Sequence, residues 1–129
     1  MENEIRILLA EDEQVIALTL EDALVDGGYA VSVASTGEDA LSRLAVGAAE
    51  LSGLITDIRL GGTMDGWEIA RMARQANPTI AVVYMTGDSA ADYSAQGVPD
   101  SLILQKPFAS AQMLTAISTL LNKAVPQPE

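Results

Sequence analysis

The chain has 129 residues, enough for one domain around one hydrophobic core, and it contains neither cysteine nor histidine. No thiolate or imidazole is available for zinc, haem or copper, so any metal site must be built from oxygen, which favours magnesium, manganese or calcium. Eighteen acidic against seven basic residues give a net charge of -11, which disfavours direct binding of nucleic acid or of an anionic membrane through a broad basic surface.

Met1-Glu2-Asn3-Glu4 is an acidic start rather than the basic region of a signal peptide, and no apolar run approaches membrane-spanning length. A cytoplasmic protein without membrane insertion is expected. Ile5 to Ala10, apolar except for Arg6, predicts a first strand buried on both faces. Glu13 to Asp26 places Ile16, Leu20, Ala23 and Leu24 at helical spacing, and Gly27-Gly28 stops that helix. Tyr29 to Ala34 reads as a second strand. Thr36 then caps a helix running through Leu41 and Leu44 to about Val46, with Asp39 in its first turn.

Leu54 to Asp57 is a short third strand ending in an acid, followed by the glycine-rich loop Gly61-Gly62-Thr63-Met64-Asp65-Gly66. A helix from near Trp67 to Ala76 ends at Asn77-Pro78, before a fourth strand around Ile80, Val82 and Val83. Asp88 to Gly97 reads as a short, mobile fourth helix, and Leu102 to Gln105 as the fifth strand. Ser110 is expected to cap a last helix with Met113, Leu114, Ile117, Leu120 and Leu121 on one face. The domain is expected to span residues 1–123, with 124–129 a flexible tail.

Strands alternating with helical segments imply an α/β fold, a parallel sheet covered on both faces, with ligands at the carboxyl ends of its strands. Glu11, Asp12, Asp57, Thr86 and Lys106 all fall at or just beyond such ends. One or two carboxylates plus a phosphate suffice to hold magnesium, so Asp12 and Asp57 are candidates for direct ligands and Glu11 for a ligand through water. A cis Lys106-Pro107 bond would aim the ammonium inward, as a point charge for a carboxylate or for phosphoryl oxygens. The Thr86 hydroxyl and the Gly87 N–H suit a phosphoryl oxygen. Asp57 is the candidate nucleophile, forming an acyl phosphate that water later removes.

Five motifs in order carry a family resemblance: Leu8-Leu9-Ala10-Glu11-Asp12-Glu13, Thr56-Asp57-Ile58, Met64-Asp65-Gly66, Met85-Thr86-Gly87 and Gln105-Lys106-Pro107-Phe108. From Ile5 to Leu121 the chain resembles the receiver domain of two-component response regulators, with the departures closest to a stand-alone subgroup of alphaproteobacteria. The resemblance implies a flavodoxin-like five-stranded sheet of order 2-1-3-4-5. It also implies that Asp57 is the phosphoacceptor, supplied by a sensor histidine kinase or a histidine phosphotransfer protein, and that an unidentified downstream protein reads the result. Glu11, Asp12, Asp57 and the backbone carbonyl of Arg59 would hold Mg2+ or Mn2+. Thr86 would be the switch hydroxyl and Lys106 the phosphoryl-contacting lysine. Such a domain catalyses its own phosphorylation and slow dephosphorylation, yet is primarily a signalling protein.

The chain departs from the common pattern at Ile103, where an aromatic switch residue is frequent, at Gly87 in place of Ala, and at Gly61 in place of Pro. The loop after Asp57 is also one residue longer than usual. Any single motif has a bland reading, for instance Glu11-Asp12-Glu13 as an ordinary helix start. Trp67, Met72 and Met113 read as core, Tyr84 and Tyr93 as neighbours of a partner surface formed by the fourth helix, fifth strand and last helix. A phosphate sink and a binding-only pseudo-receiver are the alternatives within the family, the latter expected to lack a site residue. A small phosphohydrolase would need a second acid two residues after its nucleophile, where Arg59 stands. A flavodoxin-like electron carrier would need a Ser/Thr/Gly-rich first loop, which is missing.

Overall fold

The computed structural model describes residues 4–88 and 90–124. In chain order these form β1 (Arg6–Ala10), α1 (Gln14–Asp26), β2 (Ala30–Ala34), α2 (Gly37–Gly47), a 3-10 turn (Ala48–Glu50), β3 (Gly53–Asp57) and α3 (Gly66–Ala76). Then come β4 (Ala81–Thr86), a second 3-10 turn (Ala90–Asp92) running into α4 (Tyr93–Gln96), β5 (Ser101–Gln105) and α5 (Ser110–Ala124). All strand pairings are parallel, in the order β2-β1-β3-β4-β5, as expected.

Every residue of β3 and β4 is buried, which explains their unbroken apolar character: each strand covers two cores at once. On one face Leu8, Leu54, Val82 and Tyr84 pack with Leu44 of α2 and Trp67, Ile69 and Ala73 of α3. On the other, Ile7, Leu9, Ile55, Val83 and Met85 pack with Leu20 and Leu24 of α1 and Met113, Ile117 and Leu120 of α5. Among the described residues no helix is long and apolar enough to cross a membrane.

Local chemistry sets the helix starts. Thr36 Oγ1 accepts from the Asp39 N–H at 3.0 Å, as its sequence position predicts. Asp65 and Glu68 form a reciprocal capping box at α3, each side chain accepting the other's backbone N–H at 3.0 and 3.3 Å. At α5 the expectation shifts by one residue: the helix begins with Ser110 itself, and Gln112 Oε1 reaches back to accept the Ala109 N–H at 2.8 Å. Ala124, expected to open a flexible tail, still belongs to α5, and the rest of that expected tail, residues 125–129, lies outside the described residues.

Two side chains differ from their sequence reading. Met72 is 40% exposed, because the inward positions of α3 are taken by Trp67, Ile69, Ala70 and Ala73. Tyr84 is fully buried rather than near a surface; its ring lies 4.7 Å from Trp67 and its hydroxyl accepts the Val98 N–H at 3.1 Å. Tyr93 is half-buried, edge-on to Tyr84 at 6.0 Å, and its hydroxyl donates to the Ser101 carbonyl.

The glycine-rich loop is constrained at two points. Gly62 has φ +98° and passes so close to the Glu38 carboxylate that a Cβ would collide with it. Gly66 lies against the carbonyl of Asp57, where a Cβ has no room, and its N–H donates to the Ile58 carbonyl at 2.8 Å. Gly66→Ala is therefore expected to lower stability by about 1–3 kcal/mol, the range for forced overpacking, measurable as a lower urea midpoint.

Candidate functional site

Four strand ends deliver the polar residues. The Glu11 N–H donates to the Ala34 carbonyl at 3.0 Å, which extends the β1–β2 ladder one residue and takes Glu11 inside, 1% exposed, while Asp12 turns outward. Asp57 closes β3 at 7% exposure, and Thr86 closes β4 at 1%. The Lys106 N–H donates to the Thr86 carbonyl at 2.7 Å, carrying the β4–β5 pairing past β5, and the Lys106-Pro107 peptide is cis.

Lys106 unites the site. Its Nζ donates to Asp57 Oδ2 at 2.8 Å and to Glu11 Oε1 at 3.1 Å. The second Glu11 oxygen accepts the Glu13 N–H at 2.9 Å, and Asp57 Oδ1 faces the Arg59 N–H at 3.4 Å. Carboxylate oxygens of Glu11, Asp12 and Asp57 lie within 4.8 Å of one another. Three carboxylates against one ammonium leave an excess of negative charge that a hard divalent cation is suited to balance, and the donor set is all oxygen. These residues therefore fit Mg2+ or Mn2+.

Burial, together with the charge of Asp57, holds the Glu11 carboxyl above the usual glutamate range, although the Glu13 N–H and Lys106 pull the other way. For Lys106 burial acts to lower the pKa, but the hydrogen bonds and charges of Asp57 and Glu11 together outweigh it, and the ammonium is held above the ordinary lysine value. The site thus keeps a protonated lysine among acids.

Of the residues singled out in the sequence, Glu11, Asp12, Asp57 and Lys106 come together directly. Thr86 lies just beyond Met85, the β4 partner of Asp57, with its Oγ1 accepting the Asp88 N–H at 3.2 Å. Arg59 reaches Asp57 through its backbone only; its Nε donates to Asp88 Oδ1 at 3.0 Å. Ile103 pairs with Tyr84 and packs, partly buried, against the α2–α3 core, apart from the acidic cluster. Sequence reasoning missed Asp88, whose signal is its placement two residues after Thr86, matching the opposite charge of Arg59 two residues after Asp57.

Comparison with known proteins bears on the family and the fold. Residues 7–118 match the family described as the response regulator receiver domain. The chain is 34% identical over 121 residues to the response regulator receiver protein CpdR of Brucella abortus, covering 92% of this chain and 98% of that protein. It is 30% identical over 122 residues to the transcriptional regulatory protein CusR of Escherichia coli K12, covering 92% of this chain and 52% of CusR. The chain therefore spans about half the length of CusR and of similar transcriptional regulators. A solved response regulator receiver protein from Sinorhizobium medicae WSM419 superposes with a TM-score of 0.90 at 45% identity, over 95% of this chain and 98% of that one.

The raised Glu11 pKa has a definite sign. Between the ordinary value of 4.5 and its folded value the folded chain binds more protons than the unfolded chain, so this group makes stability fall as pH rises through that window. In metal-free buffer Glu11→Gln is expected to remove that part of the pH dependence, read from urea unfolding at a series of pH values; an unchanged profile would contradict the assignment.

Proposed function

Because the chain belongs to the response regulator receiver domain family, we propose that Asp57 accepts a phosphoryl group from a phosphohistidine on a sensor histidine kinase or histidine phosphotransfer protein, and that the acyl phosphate alters protein contacts. The observation that carries this reading is the Lys106 ammonium bridging Asp57 and Glu11 inside an acidic cluster. An Asp57 oxygen attacks phosphorus, the bond from phosphorus to the donor nitrogen breaks, and its electron pair stays on the imidazole. Lys106 is placed to follow the charge from the carboxylate to the phosphoryl oxygens, with little reorganisation. A magnesium or manganese ion, held by Asp12 and Asp57, by Glu11 through water and by the Arg59 carbonyl, would supply further positive charge to those oxygens.

The phosphoryl group adds close to two negative charges and three acceptors, which favour a Thr86 hydroxyl turned towards it. Thr86 is then the switch group. Ile103 occupies the aromatic position of that switch with an aliphatic side chain already seated against the core. The surface of α4, β5 and α5 is the proposed output face. Regulation of a partner, onward relay and a phosphate sink all use the same acyl phosphate. A binding-only role is disfavoured because Glu11, Asp12, Asp57, Thr86 and Lys106 are all retained.

Donor docking has a candidate surface. Val15 and Leu18 of α1 are 77% and 57% exposed, and Val15, Pro107 and Phe108 line a 250 Å³ hollow beside Lys106. An apolar partner helix laid there would bring a phosphohistidine to Asp57. The match of the chain to 12% of the sensor kinase CckA of Brucella abortus, at 30% identity, is in keeping with a kinase-linked pathway.

Acetyl phosphate with magnesium is expected to add one phosphoryl mass to the protein, with no adduct in EDTA or in Asp57→Asn; formation in that variant would overturn the assignment. Replacing Val15 and Leu18 by serine is expected to slow transfer from a phosphorylated histidine protein by about tenfold, the equivalent of ~1.4 kcal/mol, while leaving the acetyl phosphate reaction unchanged.

A further inference from the structure

β2 is an open edge of the sheet: it pairs with β1 alone, and among the described residues no strand lies on its other side. The Ala30 N–H donates to the Ile5 carbonyl and the Ala34 carbonyl accepts the Glu11 N–H, so Ala30, Ser32 and Ala34 turn their backbone groups to β1. Val31 and Val33, alternating with them, turn theirs outward. The strand carries no charge, proline or bulge, the devices that ordinarily keep a sheet edge from pairing. At the opposite edge the Ser101 carbonyl of β5 is already taken by the Tyr93 hydroxyl.

Between β2 and α2 lies a 560 Å³ hollow whose charged lining residues are Arg6, Arg43, Asp39 and Glu50, two of each sign in a chain of net charge -11. Val46, on the same wall, is 91% exposed, more than any other large apolar side chain described. On the other face α1 packs on β1 and β2 and meets α5 through Gly27 and Leu114, which puts Val25, 52% exposed, on its far flank, towards the open edge. We propose that this edge binds a second copy of the chain, β2 against β2, antiparallel about a two-fold axis at Ser32. Val31 of each copy then exchanges both backbone bonds with Val33 of the other, and no outward group of either valine is left over. A patch that faces its own twin must be close to neutral, since any net charge would repel itself, and the hollow meets that condition where the chain as a whole does not. The two-fold also runs one α2 against the other in opposite directions, so Arg43 of one copy approaches Asp39 of the other.

The test is sedimentation equilibrium of the full chain at concentrations up to about 1 mM, the weak end of specific association. A dimer is expected. Val46→Glu, which sets a like charge against the partner's acids, and Val31→Pro, which removes one outward N–H and no bond to β1, are each expected to weaken it by about tenfold or more. Val46 already lies in water, so its replacement leaves the monomer fold intact even where the proline does not. Register is read separately. At the two-fold axis Ser32 faces its own copy as a non-hydrogen-bonded pair, about 4.5 Å between Cα atoms and within disulfide reach, and the chain has no cysteine to compete. Oxidised Ser32→Cys is expected to run as a covalent dimer, and Leu102→Cys, on the opposite edge, to stay monomeric. A wild type that is monomeric throughout, or a dimer that Val46→Glu leaves unchanged, overturns the inference. So does a covalent dimer from Leu102→Cys in place of Ser32→Cys, which would put the contact on β5.

Discussion

The contact of the Lys106 ammonium with both Asp57 and Glu11 is what allows acids to be gathered at the end of a buried sheet. A carboxylate as enclosed as Glu11 is costly unless paired and hydrogen-bonded, and here one oxygen takes the ammonium and the other a backbone N–H at the start of α1. The same ammonium offsets the repulsion between Glu11 and Asp57. Its own position is fixed by backbone pairing, because the Lys106 N–H continues the β4–β5 ladder at the Thr86 carbonyl. Strand register, charge balance and site geometry are therefore one arrangement, and a shift of β5 by a residue would undo all three.

What could be read from the sequence follows from where the information sits. β3 and β4 are covered on both faces, so their apolar runs announce them, and the acids that end such runs stand out by contrast. Thr36 was legible because its partner is three residues away. The turn at Ala48–Glu50 was not, since it is held by the Asn77 amide donating to the carbonyls of Ala48 and Leu51 across more than 25 residues. Asp88 was missed for a similar reason: its charge acquires meaning only beside Arg59, 29 residues earlier. Tyr84 lies in the core rather than near a partner surface because its hydroxyl is satisfied inside, by the Val98 N–H, a partner 14 residues away in the chain.

The region beyond β4 is organised differently from the acidic end. α4 has only four residues and is attached through Tyr93, whose ring lies over Gly97 and whose hydroxyl bonds Ser101, and through Gln96, whose side-chain carbonyl accepts from Arg71 of α3. Arg74 of α3 donates to the carbonyls of Ile80 and Asp100, at 2.7 and 3.1 Å, and so anchors the loop entering β5. A short helix held by Tyr93 and by Arg71 of α3, which donates to Gln96, between an anchored loop and the β4 end, is a natural place for structural change to collect.

Tyr84 joins these two regions, two residues before Thr86 and in ring contact with both Trp67 and Tyr93. Trp67 is the sole tryptophan of the chain and is nearly enclosed, 6% exposed. Its indole emission therefore comes from a single environment, shaped by the neighbouring phenol ring. The protein carries its own optical probe of the β4–α3 interior, readable without any attached dye.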